Sequence, residues 1–292
     1  MSPATVPDRL VVAPDERRAA LVEIIRQARR ALSVSLFRAN DEAIFAELRA
    51  AVDRGVAVEV LTTSRAKGGR RKLEKLWAAL ERTGASVRSY NDPVVKYHAK
   101  YLVADDGPAV VTSVNLTRKC FRRTIDAIVV THDPAVISGL RRLMASDSTA
   151  SAMPDDLTPR LIVGPERARR QFTALIEGAR SSIRLIDAKL SDPDLRGLLK
   201  TRRAAGLRVE IFDAKRLGGL KSHGKIMLVD NAKVVVGSMA LAAISLDFRR
   251  EVAIVVDEPS AVGEAVDLFG SVAASAAGAG AAQPDAMKGA SW

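Results

Sequence analysis

One pattern constrains this chain more than any other, because it is written twice. Residues 97–126 read YHAKYLVADDGPAVVTSVNLTRKCFRRTID and residues 222–251 read SHGKIMLVDNAKVVVGSMALAAISLDFRRE. Both carry H-x-K-x4-D, as His98, Lys100 and Asp105 and as His223, Lys225 and Asp230. Each continues into a short apolar run that ends at a serine, Ser113 or Ser238. Each then places an acid 28 residues after its histidine, at Asp126 and Glu251. The chain has only three histidines and two of them stand in this pattern. Chance placement does not account for that, and a duplicated polar constellation calls for a chemical reason.

The duplication reaches beyond the motif. Residues 161–187 echo residues 10–37, with Pro14 matching Pro165 and Ala28-Arg29 matching Ala179-Arg180. The repeat offset is 151 residues at these prolines and 125 at the histidines, so the second half is 26 residues shorter. The segment around residues 64–90 accounts for the difference, and it should make the two sides of a shared site unlike. Within the first half, apolar spacing predicts a helix over 15–31, a strand over 32–38, a helix over 41–54 and a strand over 56–61. A further helix is predicted over 72–83 and another over about 133–145. Strand-helix-strand order predicts parallel pairing in an α/β fold. The expected division is residues 1–150 as one half, 151–275 as the other, and 276–292 as an Ala/Gly tail. From about Ala273 the apolar stripe is lost, and disorder is expected there.

Composition narrows the partners. The net charge is +11, which implies polyanions: nucleic acid, an anionic membrane surface or phosphate esters. Aromatic residues are sparse at 4%, which argues against a base-stacking platform. No apolar run reaches the length of a membrane span, and residues 1–18 lack the apolar core of a signal peptide, so a cytoplasmic protein is expected. The single Cys120 excludes an internal disulfide and reads as packing, and with three histidines no zinc-type cluster is expected. Trp77 reads as core and His132 as an ordinary surface residue. The basic loop at 64–72 reads as a solvated run or as a contact to an anionic substrate.

His98 and Lys100 stand two apart on an expected strand, so both side chains leave one face, and the same holds for His223 and Lys225. Two such sets would surround one tetrahedral anion. Lys100 and Lys225 would neutralise it, and Ser113, Asn115 and Ser238 would donate hydrogen bonds. This suits phosphoryl transfer in two displacements. One neutral imidazole attacks phosphorus while the other, protonated, donates to the leaving oxygen, and the second then activates water or an alcohol. Asp126 and Glu251 would each accept a ring N–H and fix a tautomer. No metal and no cofactor is called for.

Paired H-x-K-x4-D followed by S-x-N resembles the phospholipase D superfamily, and the resemblance covers nearly the whole chain except the tail. It implies two repeats packed as a pseudo-twofold dimer within one monomer, each a mixed β-sheet flanked by helices. It also implies one site at their interface and a phosphohistidine intermediate. Carried over, the site is His98, Lys100, Ser113, Asn115, His223, Lys225 and Ser238, with Asp126 and Glu251 as histidine-orienting acids. By the same resemblance Asp105 and Asp230 tie strand ends, and His98 is the nucleophile with His223 the acid. Two departures stand out. Thr112 replaces the family's glycine and is expected to crowd the turn. Ala240 stands where a counterpart of Asn115 belongs and removes one donor.

The superfamily holds lipases, phosphatidyltransferases and nucleases, so the fold leaves the substrate open. Fusion of both halves in one chain favours phospholipid, with peripheral contact to an anionic membrane. A basic rim predicted from Arg118, Lys119, Arg122, Arg123, Arg249, Arg250, Lys215, Arg216 and Lys221 suits a nucleic-acid phosphodiester as well. A nuclease and a catalytically silent polyanion binder are the alternatives.

Overall fold

The structure is a computed structural model, which describes residues 6–65 and 70–281. The first half runs β1 (Arg9–Val11), α1 (Glu16–Gln27), β2 (Ala31–Ser35), α2 (Glu42–Asp53), β3 (Ala57–Thr63), α3 (Arg70–Glu81) and β4 (Ser86–Tyr90). It continues with β5 (Lys96–Tyr97), β6 (Tyr101–Ala104), β7 (Ala109–Thr112), α4 (Arg118–Arg122), β8 (Thr124–Ile125), β9 (Ile128–Thr131) and α5 (Pro134–Ser148). The second half runs β10 (Leu161–Gly164), α6 (Ala168–Gly178), β11 (Ser182–Ile186), α7 (Pro193–Ala204), β12 (Arg208–Phe212), β13 (Arg216–Leu217) and β14 (Leu220–Ser222). It closes with β15 (Ile226–Val229), β16 (Lys233–Gly237), α8 (Ala243–Asp247), β17 (Arg249–Val256) and α9 (Pro259–Ala281).

Each half builds one mixed sheet, in the order β1-β9-β7-β6-β2-β3-β4 and β10-β17-β16-β15-β11-β12. The parallel pairs are the strand-helix-strand units, β2 with β3 and β11 with β12, and the rest of each main path is antiparallel apart from β3 with β4. The 26 residues missing from the second half correspond to α3 and β4, which add an edge strand to the first sheet alone.

Sequence chemistry sets the helix starts. Pro134 and Pro193 occupy the first turns of α5 and α7, where a missing N–H costs nothing. Asp133 and Asp192 precede them and accept the backbone N–H of Ala135 and Leu195. The central strands β6, β7, β9, β15 and β16 are apolar along nearly their whole length because both sheet faces are covered. One face of each sheet packs on its own helices, α1 and α2 in one half and α6 and α7 in the other. The inner faces meet in one shared core, where Tyr101, Val111 and Val129 join Val163, Leu228, Val236 and Ile254. Helices α5 and α9 contribute Leu140 and Phe269 to that same core.

Two sequence expectations change. Helix α9 continues to Ala281, past the point where composition predicts disorder; its side chains from Ala273 to Ala277 are exposed, so no buried stripe announces it. Residues 282–292 of the expected tail lie outside the described residues, as do residues 66–69 of the basic loop. Trp77 is half-buried, and Leu76 and Leu80 carry the burial of α3. No described helix is long and apolar enough to cross a membrane.

Candidate active site

The histidine motifs do not lie on strands, as their alternation predicts, but in the crossings between the two halves. The strand before each motif pairs with the opposite half: β5 lies parallel to β17, and β14 lies parallel to β8. The strand after each motif, β6 or β15, joins its own sheet. Residues 98–100 and 223–225 therefore pass from one half to the other. Backbone bonds pin both passages, from His98 N–H to the Arg250 carbonyl at 2.9 Å and from Gly224 N–H to the Ile125 carbonyl at 2.6 Å. At Gly224 a Cβ would stand 2.8 Å from that Ile125 oxygen, so the crossing requires glycine.

This exchange brings each histidine to the other half's acid. His223 Nδ1 lies 2.9 Å from Asp126 Oδ1, and His98 Nδ1 lies 3.1 Å from Glu251 Oε1. Both acids are fully buried. On His223, Nδ1–H is directed to Asp126, which leaves Nε2 as the reactive nitrogen of that ring, whereas His98 Nδ1 lies between Glu251 Oε1 and Lys100 Nζ, the latter at 3.2 Å. Lys100 and Lys225 are buried beside them, and each Nζ donates to the carbonyl of its own motif histidine, at 2.7 and 2.5 Å. The Asn115 amide lies against His223 Nε2, with Nδ2 at 3.2 Å.

The serines turn elsewhere. Ser113 Oγ donates to Asp126 Oδ1 at 2.6 Å and accepts from Ala127 N–H, so it braces the acid. Ser238 Oγ exchanges bonds with the backbone of Val252. Thr112 does not crowd the site: its hydroxyl donates to the Ala127 carbonyl and accepts from Val114 N–H. Asp105 accepts backbone N–H groups of Arg29, Arg30 and Ala31, and Asp230 those of Arg180, Ser181 and Ser182. They anchor the turns that enter β2 and β11, at the strand ends away from the histidines.

Four residues escape the sequence reading. Thr124 Oγ1 donates to Asp126 Oδ2 at 2.6 Å, and Ser245 Oγ donates to Glu251 Oε1 at 3.2 Å. The Phe37 ring packs on His98, centroid to centroid at 4.4 Å. Arg17, buried in α1, donates to the carbonyls of Cys120 and Thr124 and so holds the segment leading to Asp126. Ser245 stands at the repeat position of Cys120, a signal the 125-residue offset contains. Cys120 is buried, as expected of packing, but it is not remote from a histidine. Its sulfur and the ligand atoms of Asp126 and His223 all lie within 4.8 Å of one another. The residue counts give no hint of that group, although Asp126 and His223 are already committed to each other. Arg250 leaves the predicted rim altogether, being 4% exposed and paired with Glu166 and Asp147. His132 is exposed, as expected.

The two histidines sit in unlike electrostatic settings. Burial pushes the His98 pKa well below the ordinary imidazole value, and Lys100, Lys225, Arg249 and Lys189 push the same way. Burial also lowers His223, but the Asp126 charge opposes it. Burial drives Glu251 up to about 7, against the pull of Lys100 and Lys225. Burial would raise Asp126 too, yet the charge and hydrogen bond of His223 outweigh it and hold that carboxylate below its usual range. Burial lowers Lys100 well below a free lysine, only partly opposed by Glu251. The repeat asymmetry extends this contrast. His223 has Asn115 on its ring and Ala188 at the position equivalent to Phe37, whereas His98 has Phe37 on its ring and Ala240 at the position equivalent to Asn115.

The chain is similar to several known proteins. Residues 127 in number match cardiolipin synthase A of Pseudomonas entomophila at 34% identity, covering 43% of this chain and 26% of that protein. Cardiolipin synthase A of Pseudomonas aeruginosa is 32% identical over 131 residues, covering 44% of this chain and 27% of that protein. The matched segment thus spans about a quarter of the curated relatives' length. In fold, the chain is similar to phosphatidylserine synthase of Haemophilus influenzae, with a TM-score of 0.69 and 13% identity over 89% of this chain and 84% of that one. It is also similar to polyphosphate kinase of Porphyromonas gingivalis, with a TM-score of 0.72 and 20% identity over 90% of this chain and 46% of that one. The family model described as cardiolipin synthase, PLD-like domain, matches residues 21–148 and again 160–272. The chain belongs to that family, within the phospholipase D superfamily, and carries two copies of its domain.

Proposed function

We propose that this chain is a phosphodiesterase that transfers or hydrolyses the phosphatidyl group of phospholipids through a phosphohistidine. The observation that carries the reading is the crossed pairing: two histidines, each with Nδ1 within 3.1 Å of a buried acid of the other half, and a buried lysine beside each. His98 is the nucleophile in this reading, because its surroundings favour the neutral ring. Its Nε2 lone pair attacks phosphorus, the P–N bond forms and the P–O bond to the departing alcohol breaks. His223, whose proton the Asp126 carboxylate stabilises, gives that proton from Nε2 to the leaving oxygen. In the second half-reaction His223 removes a proton from water or an acceptor alcohol, the new P–O bond forms, and the P–N bond breaks. Lys100 and Lys225 offset the charge of the phosphoryl oxygens, and bound phosphate restores the proton that burial weakens on Lys100.

Phospholipid is favoured as substrate by the similarity to the cardiolipin synthases. A nuclease is the second reading, and its support is the exposed cluster Lys119, Arg122, Arg123, Lys215, Arg216 and Lys221. The test is incubation with mixed phospholipid vesicles and ethanol in EDTA, beside His98→Ala. Phosphatidylethanol formed only by the parent chain supports lipid transfer through a covalent intermediate. Cleavage of DNA or RNA without phosphatidylethanol supports the nuclease, and silence on all substrates supports a polyanion binder.

A further inference from the structure

The described residues expose four large apolar side chains, and three of them surround one hollow. Val94 is 63% exposed, Ile244 48% and Phe248 51%, and with Lys96 they line a depression of about 370 Å³. The hollow adjoins the site. Lys96 N–H bonds the Phe248 carbonyl, Lys96 faces Arg249 in the β5–β17 ladder, and His98 N–H bonds the Arg250 carbonyl further along it. Lys96 and His98 are two residues apart, a step of roughly 7 Å in extended chain. Helix α8 serves both places, since Ser245 braces Glu251 while its neighbour Ile244 lines the hollow.

The pseudo-twofold relation shows what the other side of the mouth offers. The 125-residue offset places Lys119 opposite Ile244, Arg123 opposite Phe248 and Lys221 opposite Lys96. The equivalent ladder, β14 on β8, pairs Lys221 with Thr124. Lys119, Arg123 and Lys221 are all exposed. One flank of the site mouth is therefore apolar and the other cationic, although the two flanks descend from one repeat.

We propose that this two-sided mouth docks on an anionic phospholipid surface, with Val94, Ile244 and Phe248 entering the acyl boundary and Lys119, Arg123 and Lys221 on the headgroup phosphates. A polynucleotide would use the cationic flank but leave three apolar side chains in water, whereas an anionic lipid interface uses both. The inference rests on the phospholipid reading of the site for its biological sense, but its test measures binding alone.

The experiment is sedimentation with phosphatidylcholine vesicles, with and without phosphatidylglycerol, for the parent chain and two triple variants. Val94→Ser/Ile244→Ser/Phe248→Ser should lower vesicle partition at least about tenfold. Its turnover of a short-chain phospholipid held below micelle concentration should match the parent's. Lys119→Gln/Arg123→Gln/Lys221→Gln should lose about 100-fold on phosphatidylglycerol vesicles and little on neutral ones. A separate Phe248→Trp variant should gain blue-shifted emission on vesicles above the parent's background. Unchanged partition in the apolar variant, or no spectral shift, overturns the proposal. So does a parallel loss of DNA affinity in the apolar variant, which would assign the face to nucleic acid. Parent binding to vesicles with no phosphatidyl transfer sinks the lipid-transfer reading and leaves the docking face standing. Transfer with unaltered binding in the apolar variant does the reverse.

Discussion

Asp126 and His223 lie 97 residues apart and in opposite halves, yet the Asp126 carboxylate receives His223 Nδ1–H at 2.9 Å. Two hydroxyls, Ser113 and Thr124, complete the carboxylate's partners. Neither half can therefore present a finished histidine by itself. The acid of one half sets the tautomer and supports the charge of the other half's ring.

Asp126→Asn tests that dependence. The amide fits the same space but cannot support an imidazolium, and it invites the wrong tautomer. Turnover should fall by about 10³–10⁴-fold with little change in KM, in a chain that melts near the parent's temperature. A loss below about tenfold would remove Asp126 from the catalytic machinery.

Glu251→Gln should separate stability from activity through pH. Burial raises the Glu251 carboxyl to about 7 in the fold, against about 4.5 unfolded. A carboxyl raised by folding binds its proton more tightly in the native state, so stability from this group falls as pH rises from about 4.5 through 7. The variant removes the titration. Its stability relative to the parent should therefore climb across that window and level off above it, measured by urea unfolding at pH 5, 6, 7 and 8. Activity should be lost throughout.

Much of this site is legible in the sequence, and the unread part has a common physical cause. His98, Lys100, His223 and Lys225 announce themselves by spacing, and Asp126 and Glu251 by their equal distance from them. Spacing along a chain says nothing about which half a strand pairs with, so the crossing of β5 onto β17 stays hidden. Ser113 reads as a phosphate donor because a hydroxyl after an apolar strand is free on paper; in the fold it is consumed by Asp126. Arg250 reads as rim because arginine is usually exposed, but Asp147 and Glu166 give it partners inside. The helical end of α9 is unreadable because the Ala and Ser side chains from Ala273 to Ala277 are exposed and form no buried stripe that periodicity can detect.

Anion binding should take up protons. In the free site burial and neighbouring cations hold both His98 and Lys100 toward their uncharged forms. A tetrahedral anion between the two halves reverses the sign of the local field and raises both. Calorimetric titration with orthovanadate at pH 7, in buffers of different ionisation enthalpy, should show net proton uptake. Lys100→Met should reduce it. Proton release would mean that the anion binds elsewhere or that Lys100 is already charged.

Arg250 tests what holds the halves together. Its guanidinium bonds both Glu166 oxygens at 2.6 and 2.8 Å and the Gly164 carbonyl at 2.8 Å, all in the second half. Its Nε lies 2.9 Å from Asp147 of α5, in the first. Burial already pushes Asp147 up to about 7 despite the arginine's pull, so this acid depends on its partner. Arg250→Ala leaves a buried carboxyl without its cation and should cost about 3–5 kcal/mol at pH 8. Adding Asp147→Ala removes the stranded acid, so the double variant should be the more stable of the two, a coupling that urea unfolding measures directly. At pH 5 Asp147 is protonated in either background, and the advantage of the double variant should shrink. A pH-independent cost in Arg250→Ala would place the loss in packing and in the Glu166 contact rather than in the tie between the halves.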